Sequence, residues 1–152
     1  MRQQTNKTAL MYATDLLARQ EQSSGKLREK LRRKGYAEDE MELALSCLEE
    51  RHYLNDAEAC ARQFDFFYRE SKHSVRQICV KLMQRGFESS LVRSCVPQDT
   101  YARELQVALR CLRIKFKDSA EERKMMANLY AKGFDSSVAQ EAVQKFLEEK
   151  EI

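Results

Sequence analysis

Leu31-Arg32-Arg33-Lys34-Gly35-Tyr36 returns as Leu82-Met83-Gln84-Arg85-Gly86-Phe87 and again as Leu129-Tyr130-Ala131-Lys132-Gly133-Phe134. The glycines stand 51 and 47 residues apart, and three of the four in the chain occupy this one corner. Self-similarity at such a period marks stacked supersecondary units. Ahead of each glycine, apolar residues stand at i and i+4: Leu27 and Leu31, Ile78 and Leu82, Met125 and Leu129. That spacing puts each pair on one face of a helix. Glycine ends such a helix because it alone enters the left-handed conformation without steric cost. Lys34, Arg85 and Lys132 add favourable contact with the negative end of the helix dipole. Tyr36, Phe87 and Phe134 read as structural caps folded over the helix end rather than as base-stacking platforms.

A second helix follows each corner. Ser89 and Ser136 are the expected N-caps, with the poorer Glu38 in the first repeat. Met41, Ala44, Leu45 and Leu48 then recur at helical spacing, matched by Val92, Cys95 and Val96 and by Ala139, Ala142 and Val143. A further helix precedes each pair. Its stripe is Ala9, Leu10, Ala13, Leu16 and Leu17 in the first repeat. In the second it is Ala57, Cys60, Ala61, Phe64, Phe67 and Tyr68, and in the third Tyr101, Leu105, Ala108, Leu109, Leu112 and Phe116. Asn55 with Glu58, Ser74 with Gln77 and Ser119 with Glu122 have the spacing of capping boxes. The single proline, Pro97, falls between the second and third repeats, where it interrupts no helix. The pattern predicts an all-α fold of three tandem three-helix repeats, spanning 1–54, 55–97 and 98–152. Repeats of about 50 residues bury little apolar surface alone, so neighbours are expected to share a core.

Composition narrows the function classes. Charged residues make up 34% of the 152 residues, and mean hydropathy is −0.67. No apolar run exceeds the five residues from Ala9 to Ala13, so neither a signal peptide nor a membrane span is expected and the cytoplasm is the default location. The five cysteines, Cys47, Cys60, Cys79, Cys95 and Cys111, are scattered singly with no Cys-x-x-Cys spacing. They read as small apolar residues in a reducing compartment, not as a disulfide framework or a zinc site. With His52 and His73 far apart, no metal site and no cofactor are expected. The sequence offers no phosphate-cradling glycine loop, no His-Glu-x-x-His and no nucleophile elbow, so nothing recommends an enzyme.

Net charge is only +3, but it is unevenly spread. Residues 23–34 carry Lys26, Arg28, Lys30, Arg32, Arg33 and Lys34 against Glu29 alone, whereas residues 38–50 are acidic. The basic helix either complements its acidic neighbour or meets a partner's phosphates or carboxylates. A second basic stretch runs through Arg110, Arg113, Lys115 and Lys117. The helix that carries it has apolar residues on two faces, Val107, Cys111 and Ile114 lying opposite Leu105, Leu109 and Leu112. Such a helix is sandwiched between repeats or offers one face to a partner. Phe66, off the stripe of Phe64 and Phe67, poses the same alternative.

Taken in order, four segments resemble the RecX family of bacterial recombination regulators. They are Leu27-Arg-Glu-Lys-Leu31-Arg-Arg-Lys-Gly35-Tyr36, Tyr53-Leu54-Asn55-Asp56, Val75-Arg76-Gln77-Ile78 and Gly86-Phe87. The likeness runs from about residue 8 to 147. The chain departs from the family pattern at Asn55, where paired aspartates stand, at His52 in place of glycine, and at Cys60 in place of an aromatic. The resemblance implies an elongated, curved array of three-helix units in a cytoplasmic protein. It also implies binding to RecA and to its filament on single-stranded DNA, restraining strand exchange, ATP hydrolysis and co-protease activity. A monomer with at most a weak direct DNA contact is expected. The polar part of the partner surface is assigned to Arg28, Arg32 and Arg33 with Arg110, Arg113 and Lys117. Two rival readings are a helix–turn–helix-like DNA-binding protein and a helical-repeat adaptor for some other protein.

Overall fold

The computed structural model describes residues 6–117 and 121–151, and within them the chain is all-α, with no strand. The first three helices are α1 (Ala9–Arg19), α2 (Ser24–Lys34) and α3 (Glu38–Glu50). Next come α4 (Asp56–Glu70), α5 (Val75–Gln84) and α6 (Ser89–Ser94). The last three are α7 (Tyr101–Lys115), α8 (Glu122–Ala131) and α9 (Ser136–Lys150). The helical periodicity of the sequence thus becomes nine helices among the described residues.

Each glycine corner closes in the same way. Gly35, Gly86 and Gly133 take φ of 94°, 94° and 91°. Tyr36 N–H donates to the Leu31 carbonyl at 3.3 Å and Gly35 N–H to that of Arg32 at 3.0 Å. The same two bonds recur from Phe87 to Leu82 and Gly86 to Met83, and from Phe134 to Leu129 and Gly133 to Tyr130. This is the two-bond stop that satisfies the last carbonyls of a helix through a left-handed residue. Phe87 and Phe134 are buried at 3% exposure, while Tyr36 is half-buried and its hydroxyl donates to the Lys7 carbonyl at 2.7 Å. A fourth such stop ends α3, with His52 at φ 61° in the left-handed position.

Several sequence expectations need correction. The second helix of each unit starts one residue earlier in capping terms: Ala37, Glu88 and Asp135 are the N-caps, without side-chain bonds. Glu38, Ser89 and Ser136 are instead the first helical residues. The tight stop hands the chain to an extended residue immediately after the aromatic, which leaves no spacer for a serine cap. α6 ends at Ser94, so Cys95 and Val96 lie beyond it, packed against the unit's core. On α4 the buried face is Ala59, Cys60, Phe64 and Phe67, whereas Ala57 and Ala61 are exposed. Ser74 and Gln77 form a complete capping box, but Asn55 makes only the forward bond to Glu58 N–H. Ser119 lies outside the described residues, and α8 is preceded by Glu121 as its N-cap.

The largest correction concerns the core. Among the described residues there is no shared one. Leu27, Leu31, Met41, Ala44, Leu45, Leu48 and Leu54 close one cluster with Ala9 and Ala13. Cys60, Phe64, Phe67, Ile78, Leu82, Phe87 and Val92 build a second, with Ala59. A third forms around Leu112, Met125, Leu129, Phe134, Val143 and Phe146. Truncating one of the fully buried leucines costs about 2–5 kcal/mol, because the cavity left behind collapses only in part. Since each unit closes its own core, the faces that meet between units are polar and are joined by hydrogen bonds.

The two joints are built alike. Ser23, the N-cap of α2, donates its hydroxyl to the Arg85 carbonyl at 2.6 Å, next to Gly86. Ser74, the N-cap of α5, donates to the Lys132 carbonyl at 2.6 Å, next to Gly133. The middle helix of one unit therefore plugs into the glycine corner of the next. An acidic residue of the next unit's first helix supports each plug. Asp56 accepts from the N–H of Ser24 at 2.8 Å and from its hydroxyl at 2.6 Å. Glu104 accepts from Val75 N–H at 3.1 Å. Both carboxylates sit at helix N-termini, where negative charge is favoured. Gly25 belongs to the same contact, since a Cβ there would lie 2.5 Å from the Gly86 oxygen.

Candidate partner-binding surface

The basic helix α2 faces α3, and much of its charge is spent there. Arg28 holds Glu42 with two bonds, Nε at 2.8 Å and Nη2 at 3.3 Å. Arg32 Nε reaches Glu38 at 2.9 Å, and Arg33 pairs with Glu29 one turn away on its own helix. The Glu42 carboxyl is held below its ordinary range by the Arg28 hydrogen bond, and the Arg28 guanidinium is pushed up by the same contact. The acidic-helix complement is thus present in the fold. The pairs are exposed, however, and exposed ion pairs contribute about 0–1 kcal/mol. A partner's carboxylate or phosphate can exchange for them at little cost.

The second basic group lies on α7. Arg113 grips Glu149 of α9 with two bonds, one of them Nε to Oε2 at 3.1 Å, which lowers the Glu149 carboxyl and raises the guanidinium. Arg110 is exposed and, among the described residues, has no ion-pair partner. Lys117 is exposed just past the helix, and its carbonyl accepts from Lys150 Nζ at 2.8 Å. Arg110 and Arg113 come together in a cleft of about 640 Å³ between α4 and α7, which Arg69, Arg103, Tyr68 and Gln106 also line. Arg28, Arg32 and Arg33 belong to the first unit and do not enter that cleft.

Arg103 belongs to no motif or periodic pattern that would single it out. Its guanidinium is almost fully engaged: it donates to the carbonyls of Tyr68 at 3.0 Å, His73 at 2.6 Å and Phe67 at 3.3 Å. It also pairs with Glu104 at 2.6 Å and lies 4.8 Å from the centre of the Tyr68 ring. A planar cation at the C-terminal carbonyls of α4 is favoured by the helix dipole and fixes α7 against the second unit. This accounts for part of the two-faced character of α7. Cys111 is buried, with its thiol directed at the Lys72 carbonyl, and Val107 is half-buried in the cleft, but Ile114 is 50% exposed. Phe66 is 60% exposed, its ring edge-on to Phe67 at 5.7 Å, and so offers an aromatic anchor on α4.

Ser74 is legible as a cap, but the register it shares with Ser23 lies outside the corner pattern. Each lies 12 residues ahead of its own unit's glycine. The same register in the third unit holds Glu121, the N-cap of α8, which makes no side-chain cap bond.

Comparison with known proteins follows the same outline. Residues 9–48 match the family model described as "RecX, first three-helix domain". The regulatory protein RecX of Neisseria meningitidis serogroup C is 32% identical over 139 residues, covering 87% of this chain and 86% of that protein. The regulatory protein RecX of Caldanaerobacter subterraneus subsp. tengcongensis is 33% identical over 131 residues, covering 85% and 66%. In three dimensions the crystal structure of RecX from Lactobacillus salivarius superposes with a TM-score of 0.74 at 17% identity, covering 91% of this chain and 94% of that one. That likeness shows the fold.

Proposed function

The chain belongs to the RecX family, and from that premise we propose that it binds RecA and the RecA filament on single-stranded DNA and restrains its recombinase, ATPase and co-protease activities. The observation that carries this reading is the agreement over nearly the full length with relatives named as regulatory proteins. The fold supports it through the jointed array. Three units, 1–54, 55–97 and 98–152, held in fixed succession can touch successive subunits of a filament and add weak contacts through effective concentration.

The proposed action is docking rather than chemistry, by a monomer in the cytoplasm. Arg28, Arg32, Arg33, Arg110, Arg113 and Lys117 form the polar contact set, exchanging weak internal pairs for acidic groups of the partner. The joints argue against groove reading by the glycine corners, because two of the three corners are covered by the N-cap of the preceding unit. The test is RecA ATPase on single-stranded DNA titrated with this protein. A dose-dependent fall in rate is expected. An unchanged rate at saturating protein, with binding instead to duplex DNA that weakens steeply with salt, would favour the DNA-binding alternative.

A further inference from the structure

The sequence scatters its cysteines, but the fold gathers three of them in the second unit. Cys60 on α4, Cys79 on α5 and Cys95 at the end of α6 all border one cluster, one from each helix of the unit. The Cys95 and Cys60 sulfurs are 3.8 Å apart, in van der Waals contact, and the Cys95 thiol also reaches the Leu91 carbonyl at 3.5 Å. Their environments differ. Cys60 is fully buried, whereas Cys95 is half-buried and lines an open cleft of about 410 Å³ with Ala57, Ala61, Ser94 and Pro97. An accessible thiol touching a buried one is the arrangement in which the first is oxidised and the second resolves it. Cys95 is also the C-cap of a helix of six residues that runs straight into the Val96-Pro97 joint, its N–H bonded to the Val92 carbonyl at 3.1 Å.

We propose that Cys95 and Cys60 are a peroxide-responsive dithiol that closes to an intramolecular disulfide clamping α6 onto α4. In the first step the Cys95 thiolate attacks one oxygen of a hydroperoxide. The O–O bond breaks, the sulfur is oxidised to a sulfenic acid, and the peroxide is reduced, leaving as water when the peroxide is hydrogen peroxide. In the second step the Cys60 sulfur attacks the Cys95 sulfur and the S–O bond breaks. Hydroxide departs and takes up the proton that Cys60 gave up, forming a second water. The sum is two thiols and one hydrogen peroxide giving one disulfide and two waters. A disulfide inside a reducing compartment is of the transient, sensing kind, so dithiothreitol reverses it.

Burial, with added contributions from Cys95, the Asp56 carboxylate and Cys79, pushes the Cys60 thiol up to about 12. Only a small thiolate fraction is available at neutral pH, so closure quickens as pH rises toward that value, by about tenfold per unit where the thiolate is the attacking species.

The experiment treats the full chain with hydrogen peroxide, blocks free thiols and maps peptides without reduction. A peptide linking Cys60 to Cys95, an intact mass lower by two hydrogens and full reversal by dithiothreitol are expected. Cys60→Ser, checked by circular dichroism for retained helicity, should leave Cys95 as a dimedone-reactive sulfenic acid, and Cys95→Ser should abolish the link. Cys79→Ser, which leaves both partners in place, should still form it. A link through Cys79 instead, cross-linked dimers only, irreversible over-oxidation of Cys95 or no change at all would each overturn the proposal.

Discussion

Ser23 Oγ donates to the carbonyl of Arg85 across 62 residues of chain, at 2.6 Å, while accepting from Lys26 N–H at 3.0 Å. One hydroxyl thus caps the start of a helix of the first unit and fastens the second unit to it. Ser74 does the same toward Lys132 and Gln77. The donor and acceptor roles of a hydroxyl are both filled, which is why 2% and 0% exposure carry no desolvation penalty. The units need no common apolar core because these bonds, with Asp56, Arg103 and Glu104, fix their succession.

Replacing these serines therefore removes more than a cap. Ser74→Ala loses a capping box and leaves the Lys132 carbonyl without this donor, and the loss should be about 2–3 kcal/mol, the sum of a cap and a buried hydrogen bond. Ser136→Ala, at a first helical position with no cap bond, should stay within about 0.5 kcal/mol. Urea unfolding of the two variants measures the contrast. Equal losses would show that the joint bond contributes nothing.

The glycines separate backbone strain from steric contact. Gly35 and Gly86 share φ of 94°, but nothing lies within 4 Å of a Cβ at Gly35, whereas one at Gly86 would meet Ser23 Oγ at 2.5 Å and Lys26 N at 2.9 Å. Gly35→Ala should cost only the left-handed penalty, about 1–2 kcal/mol. Gly86→Ala should cost clearly more and loosen the first joint, seen as faster amide exchange at Lys26. A matching loss in both would contradict the contact.

How far the sequence could be read follows from this division. Local signals sufficed for the helices and corners, because Leu31, Gly35 and Tyr36 act on one another within one turn. They also carried the core of each unit, since Leu27 and Leu31 or Ile78 and Leu82 repeat at helical spacing. The contacts at the joints were illegible for a physical reason: Ser23 meets Arg85 and Arg103 meets Tyr68 only after the chain has folded, and the shared register of Ser23 and Ser74 does not name their partners. The same holds for Cys60 and Cys95. The basic surface was half legible. Arg28 and Arg113 were identifiable as charge, but their partners Glu42 and Glu149 follow from the tertiary fold.

His52 offers a gain of stability. It sits at φ 61° in the two-bond stop after α3, with Tyr53 N–H donating to Leu48 at 2.9 Å. A residue with a Cβ pays about 1–2 kcal/mol in that conformation, and glycine does not. His52→Gly should therefore raise stability by about 1 kcal/mol, the relief of strain exceeding the added entropy of the unfolded chain. A higher urea midpoint checks it, and a lower one would mean that the imidazole makes compensating contacts.

The proposed partner surface makes a graded prediction. Arg110 stands without an ion-pair partner among the described residues, whereas Arg113 is held by Glu149. A partner gains the full charge of Arg110 but must first displace Glu149 to reach Arg113. Arg110→Glu should accordingly weaken inhibition of the RecA ATPase more than Arg113→Glu, with helicity by circular dichroism unchanged in both. Glu149→Gln, which frees Arg113, should strengthen inhibition or leave it equal. Reversal of Arg28, Arg32 and Arg33 together should abolish inhibition if the first unit also docks. Should all of these variants inhibit like the parent, the surface lies elsewhere on the array, and the exposed Phe66 and Leu43 would be the next positions to substitute.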